Sequence, residues 1–209
     1  MKPLKHAILR AQQGAVAIEA AIILPLMVML MLGMVEMYQY FRVIAVVDRA
    51  AFTVANSMAV QDEFIVNQLG ACDKDPRKLC TYEYIMPQIM QPLAYKQGTI
   101  SFYNNQLADL SRSHQWVLQW QAQCSAASGA CTAEQITNPQ PTTLNLNGLQ
   151  PLADEDDYLV VVTMQADYPP FALSGAFWSL LNKDITLVST AYFRPRHNAN
   201  ITYIADETP

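Results

Sequence analysis

Sixteen consecutive residues, Ala20 to Val35, carry no formally charged side chain. Counted from Ala15, the apolar stretch has 21 residues, and about 20 are needed for a helix to cross the hydrocarbon core of a bilayer. The chain as a whole is 15% charged, against about 25% in ordinary soluble domains, and this block has no charge at all. Such a block argues against a wholly soluble cytosolic enzyme. Disorder is excluded by a hydrophobic content of 52% with 10% aromatic residues. A net charge of -5 argues against a nucleic-acid module, which needs a basic surface to neutralise phosphates.

The residues before the block are basic. Met1 to Gly14 carries Lys2, Lys5 and Arg10 and no acid, a charge of +3 that leaves -8 on the other 195 residues. A basic segment followed by an apolar one is retained on the cytoplasmic side of a bacterial inner membrane, and the C-terminal part is delivered outside. A cleaved secretory signal would need a short apolar core followed by a small-x-small cut site. After Leu24 the sequence reads PLMVMLMLGMVEM, with no Ala-x-Ala before the charges resume. A plain membrane anchor accounts for everything except Glu19. A carboxylate within a spanning helix costs on the order of 2.5–3.5 kcal/mol on insertion scales. Two readings accommodate it. Glu19 snorkels to the headgroups, or the chain is cut between Gly14 and Ala15, so that a new ammonium group one helical turn away neutralises it.

The stretch RAQQGAVAIEAAIILPLMVMLMLGMVEM resembles the start of the TadE/TadF-like minor pseudopilins of the tight-adherence (Flp, type IVb/IVc) pilus system. Members have a basic leader ending in Gly, Glu as the fifth mature residue, and then a long apolar segment. The resemblance implies cleavage by a prepilin peptidase between Gly14 and Ala15, with Glu19 as the acid that pairs charges during assembly. Many members place Tyr or Phe directly after the Glu, where this chain has Ala20. VLQWQAQCSAASGAC and DITLVSTAYFRPR are similar to the Trp-containing strand with its Cys loop and to the closing strand of such proteins. Implied partners are the peptidase, a second TadE/TadF-like minor pseudopilin, the major Flp-type pilin and the inner-membrane assembly platform. The implied work is pilus biogenesis in support of adherence and biofilm formation.

The helical pattern continues past Val35. From Glu36 to Val60 there is neither Gly nor Pro, and Phe41, Ile44, Ala51, Val54 (or Ala55) and Met58 recur at helical spacing against a polar face of Gln39, Arg42, Arg49 and Asn56. One helix over 15–60 would be about 69 Å long, with Pro25 loosening it locally. Beyond Gly70 the texture changes. Residues 81–95 read as short helical pieces at best. Gly98 to Gln106 and Gln115 to Gln123 read as a hairpin, with Trp116, Leu118 and Trp120 sharing one face by period two. Tyr158 to Ala166 and Ile185 to Arg194 are the best strands, rich in β-branched residues. The expected fold is α+β: a pilin-like long N-terminal helix, its first half in the membrane, packed on a small antiparallel sheet of three or four strands. The segments are then a leader (1–14), a transmembrane helix (15–35), its periplasmic continuation (36–70) and a disulfide-containing head (71–209).

Four cysteines form two close pairs, Cys72/Cys80 and Cys124/Cys131. Three connectivities are open; sequence proximity favours the two local ones, each worth about 2–3 kcal/mol in an exported domain. The spacing is too wide for the usual zinc C-x2-4-C. His6, His114 and His197 read as surface groups, since no Gly-x-Ser-x-Gly elbow accompanies them. The acidic run Asp154 to Asp157 lacks the Gly and alternation of a calcium loop and reads as a solvated turn. The sequence therefore leads to a structural subunit, not an enzyme, with no cofactor and no metal.

Overall fold

In a computed structural model the apolar block lies inside a single helix, α1 (Pro3–Met58), of 56 residues and so about 84 Å long. The structure describes residues 3–66, 75, 77–107, 114–128, 130–136, 157–168, 185–196 and 201–205, and of residues 3–17, 66, 107, 114, 130, 202, 203 and 205 the backbone alone. The helix begins within the basic segment and runs through Pro25 without a break. Within the stretch 36–70 it gives way at Met58. The Gln61 amide returns to the Met58 carbonyl at 3.1 Å, and the Arg196 amide takes the Ala59 carbonyl at 2.8 Å. The guanidinium of Arg196 also donates to Asn56 Oδ1 at 2.8 Å, which places a cation near a helix C-terminus, where the backbone dipole favours it.

Seven strands and a second helix follow among the described residues: β1 (Glu63–Val66), α2 (Leu79–Ile89), β2 (Ala94–Leu107), β3 (His114–Ser125), β4 (Ala130–Gln135), β5 (Tyr158–Asp167), β6 (Thr186–Phe193) and β7 (Thr202–Ala205). Five strands form one antiparallel sheet in the order β4-β3-β2-β5-β6. The fold is α+β, a long apolar N-terminal helix on a small antiparallel sheet, as the periodicity predicts.

Four details differ from the sequence reading. The sheet has five strands, because ACTAEQ, with little β-branched content, pairs along β3 as β4. A parallel pair, β1 with β7, joins Glu63–Val66 to Thr202–Ala205; the long intervening chain supplies the crossover that parallel pairing requires. Residues 79–89 make an 11-residue helix, buried through Leu79, Thr81, Tyr82 and Met86. Pro87 is tolerated near its end. Finally, Trp116, Leu118 and Trp120 do not share a face. The register steps from Phe102↔Trp120 to Tyr103↔Leu118, leaving Gln119 as the extra residue of a β-bulge. Trp120 therefore faces the main core, while Trp116 and Leu118 turn to the other side with Tyr103, Leu159 and Val161.

The main core lies between α1, α2 and the sheet. From α1 it takes Val47, Ala50, Ala51, Val54, Ala55 and Met58, all at most 1% exposed. The alanines let the helix approach the strands closely. Phe41 is not on this stripe. It is 58% exposed, and Tyr40, Val43 and Ile44 take the inward side at that level. An aromatic row crosses the core: Phe64 stacks on Trp120 (centroids 4.9 Å), Trp120 on Phe102 (5.6 Å) and Phe102 on Tyr158 (5.6 Å). Such pairs add about 0.5–1.5 kcal/mol each beyond their area. Gly98 of β2 permits the contact with α2, because a Cβ there would stand 2.5 Å from Met86 Sδ and 3.1 Å from Met164 Sδ.

Candidate membrane-spanning and assembly helix

The two halves of α1 have opposite surroundings. An 18-residue window near its N-terminus has a mean hydropathy of 2.4 and no buried residue, long and apolar enough to cross a membrane. Ile22, Leu24, Met27, Met29 and Met31 are all more than half exposed. No other described helix passes that test. None of the described residues of the head buries this window, and lipid or another helix would satisfy such a surface.

The residues singled out from the sequence fall on this half. Gly14 and Ala15 are interior positions of α1. Glu19 lies four residues, about 6 Å, beyond Ala15 and is exposed. An N-terminal amine created at Ala15 would thus begin the helix one turn from the carboxylate. That spacing allows pairing within a chain, or between neighbours whose helices are offset along their axes.

A second carboxylate, which the sequence reading did not single out, marks the junction with the head. The Tyr168 hydroxyl donates to Glu36 Oε1 at 2.6 Å, and the Tyr168 ring meets Tyr40 edge-on at 5.5 Å. Glu36 Oε2 is buried, with no hydrogen-bond partner among the described residues. Burial, and then the bond to Glu36, push the Tyr168 hydroxyl pKa well above the ordinary tyrosine value. The available signals were indirect: Glu36 is the first charge after the apolar block, and Tyr168 stands directly before Pro169-Pro170. β5 ends at Asp167, one residue before Tyr168, so the strand runs antiparallel to α1, with its C-terminal end toward the apolar half.

In the head, Cys124 and Cys131 are bonded and directly opposed across β3 and β4. Cys80 is also disulfide-bonded; Cys72, its expected partner, lies outside the described residues, as do Asp154, Glu155, Asp156 and His197. Asp157 is 7% exposed and pairs with Arg194 Nε at 3.1 Å, which ties the start of β5 to the end of β6. Among the described residues no group of three or more His, Cys, Asp or Glu is placed to hold a metal. A cleft of about 1170 Å³ runs beside α2, lined by Tyr84, Ile85, Pro87, Leu93, Tyr95 and Cys124 among others. The Tyr95 hydroxyl donates to the Cys124 carbonyl at 2.8 Å, and burial pushes its pKa up to about 12.

Residues 14–56 match the family of TadE-like proteins. That segment is TadE-like. The match opens at Gly14, the residue before the expected cut, and closes two residues before the end of α1. It supports a protein associated with the Tad pilus, and it does not extend to the Trp-containing or closing strands. No curated protein and no solved structure matches the chain.

Proposed function

We propose that the protein is a minor pseudopilin, an assembly subunit for tight-adherence (Flp-type) pili, matured by prepilin peptidase between Gly14 and Ala15. The observation that supports this reading is the coincidence of the TadE-like segment with the helix whose apolar surface the described residues leave uncovered. The N-terminus lies on the cytoplasmic side of the inner membrane and the head in the periplasm, where the bond between Cys124 and Cys131 is stable. Partners are a second TadE/TadF-like pseudopilin, the major Flp-type pilin and the assembly platform. Glu19 pairs with the amine released at Ala15, in its own chain or a neighbour's, and so lowers the cost of a carboxylate in lipid. The subunit works by helix packing and head contacts in support of adherence and biofilm formation, not by catalysis.

N-terminal sequencing of membrane-extracted protein tests this reading. It gives Ala15 as the first residue, and replacing Gly14 with a bulky residue abolishes the shortened form. The cleft beside α2 favours a second reading, an uncleaved single-span anchor carrying a periplasmic binding module. A start at Met1 would support that alternative.

A further inference from the structure

Two aromatic residues just beyond the apolar block, Tyr38 and Phe41, are on the wrong side of α1 for the core. Tyr38 is 69% and Phe41 58% exposed, and Arg42 beside them is exposed as well. The inward positions at this level are Glu36, held by Tyr168, and Tyr40, packed on the same ring. In water, two large aromatic surfaces at adjacent turns of a helix bring no gain.

On the reading that α1 spans a membrane, on which this inference rests, their height explains them. Tyr38 stands three residues past Val35, about 4.5 Å along the axis, and Phe41 about 9 Å. Headgroup layers add about 5–7 Å to each side of the hydrocarbon core. Helical side chains lean toward the N-terminus, here the membrane side, so both rings reach back into that layer. Tyrosine is enriched at this depth because its ring is apolar and its hydroxyl is wet. Arg42 can lay its stem along the same surface and direct its guanidinium to lipid phosphate.

We infer that Tyr38, Phe41 and Arg42 form an interfacial anchor in the phospholipid headgroup layer, so that the head rests directly on the bilayer surface. The Glu36–Tyr168 bond fixes the head's height, since it ties the end of β5 to the first residue beyond the apolar block. The head therefore does not stand away from the membrane on a bare stalk.

The test uses the full chain in phosphatidylethanolamine/phosphatidylglycerol vesicles, with a spin label on each of Met31→Cys, Tyr38→Cys, Phe41→Cys and Thr53→Cys. Mass spectrometry first confirms that the native disulfides are intact. Collision with oxygen, enriched in lipid, and with a water-soluble nickel chelate then reports the depth of each label. The inference expects the oxygen-to-nickel ratio to fall in order from 31 through 38 and 41 to an aqueous value at 53. Labels at 38 and 41 as aqueous as the one at 53, with 31 still in lipid, would overturn the anchor and leave the span standing. Labels at 38 and 41 shielded from both reagents would overturn it in favour of a protein partner on that face, such as a second copy. An aqueous label at 31 would remove the span itself, and the anchor with it.

Discussion

The first and second halves of α1 share one backbone and obey different rules. From Ala20 to Val35 the helix is uncharged on every side and none of the described head residues buries it; after Tyr40 a single buried stripe faces the core, built largely from Val and Ala small enough for a sheet to approach. The difference shows that hydrophobicity alone does not say what a helix packs against. An all-round apolar surface asks for lipid or other helices, whereas a narrow stripe with alanines asks for a preformed flat partner.

The comparison breaks most readily at the core. Trp120→Ala removes the centre of the aromatic row and is expected to cost the head about 3–5 kcal/mol in denaturant unfolding, whereas Leu24→Ala or Met31→Ala should leave head unfolding unchanged. A comparable loss from the Leu24 or Met31 variants would mean that the two halves are not independent. Next comes the disulfide: replacing Cys124 and Cys131 together by Ser is expected to cost about 2–3 kcal/mol, read as a lower denaturant midpoint. At the junction, Tyr168→Phe leaves the Glu36 carboxylate without its donor and is expected to cost about 1.5–3 kcal/mol, the range for hydrogen bonds to charged groups, with little change in membrane insertion.

The remaining effect is with pH and lies outside the neutral range. Burial pushes the Tyr82 hydroxyl, which also shares a 3.2 Å hydrogen bond with Ser57, up to about 12, and Tyr95 likewise. A raised pKa favours the protonated form in the folded state. The stabilisation is therefore complete below about pH 10 and is lost as pH rises toward 12. Tyrosinate absorbance should show these two groups titrating late, and together with loss of the fold. Ionisation of every tyrosine near pH 10 with the fold intact would contradict their burial.

How much of this was legible in the sequence depended on the kind of signal. The apolar block, its basic flank and the long helix were, because sixteen uncharged residues and a stretch free of Gly and Pro are strong one-dimensional signals. So were β5 and β6, with runs such as Leu159 to Val162. The helix face was misjudged at Phe41 by one position, since an apolar residue at helical spacing was read as inward when Val47 and the alanines mark the contact. The bulge at Gln119 was illegible because a single extra residue reverses every later side chain without altering the local alternation. β4 was missed because it has the composition of a loop, although its partner β3 directly precedes it, and the β1–β7 pair was missed because its two strands are distant in sequence. At the site, Glu19 stood out as a charge in an apolar run. Glu36 did not, because its meaning comes from Tyr168, 132 residues away.

The central claim, that the uncovered half of α1 is an assembly element and not merely an anchor, rests on Glu19. The direct measurement is Glu19→Ala in cells that make the pilus, with membrane insertion and surface pili quantified together. The account predicts an unchanged amount of protein in the membrane and a loss of pili. Normal pili with the carboxylate gone would contradict it.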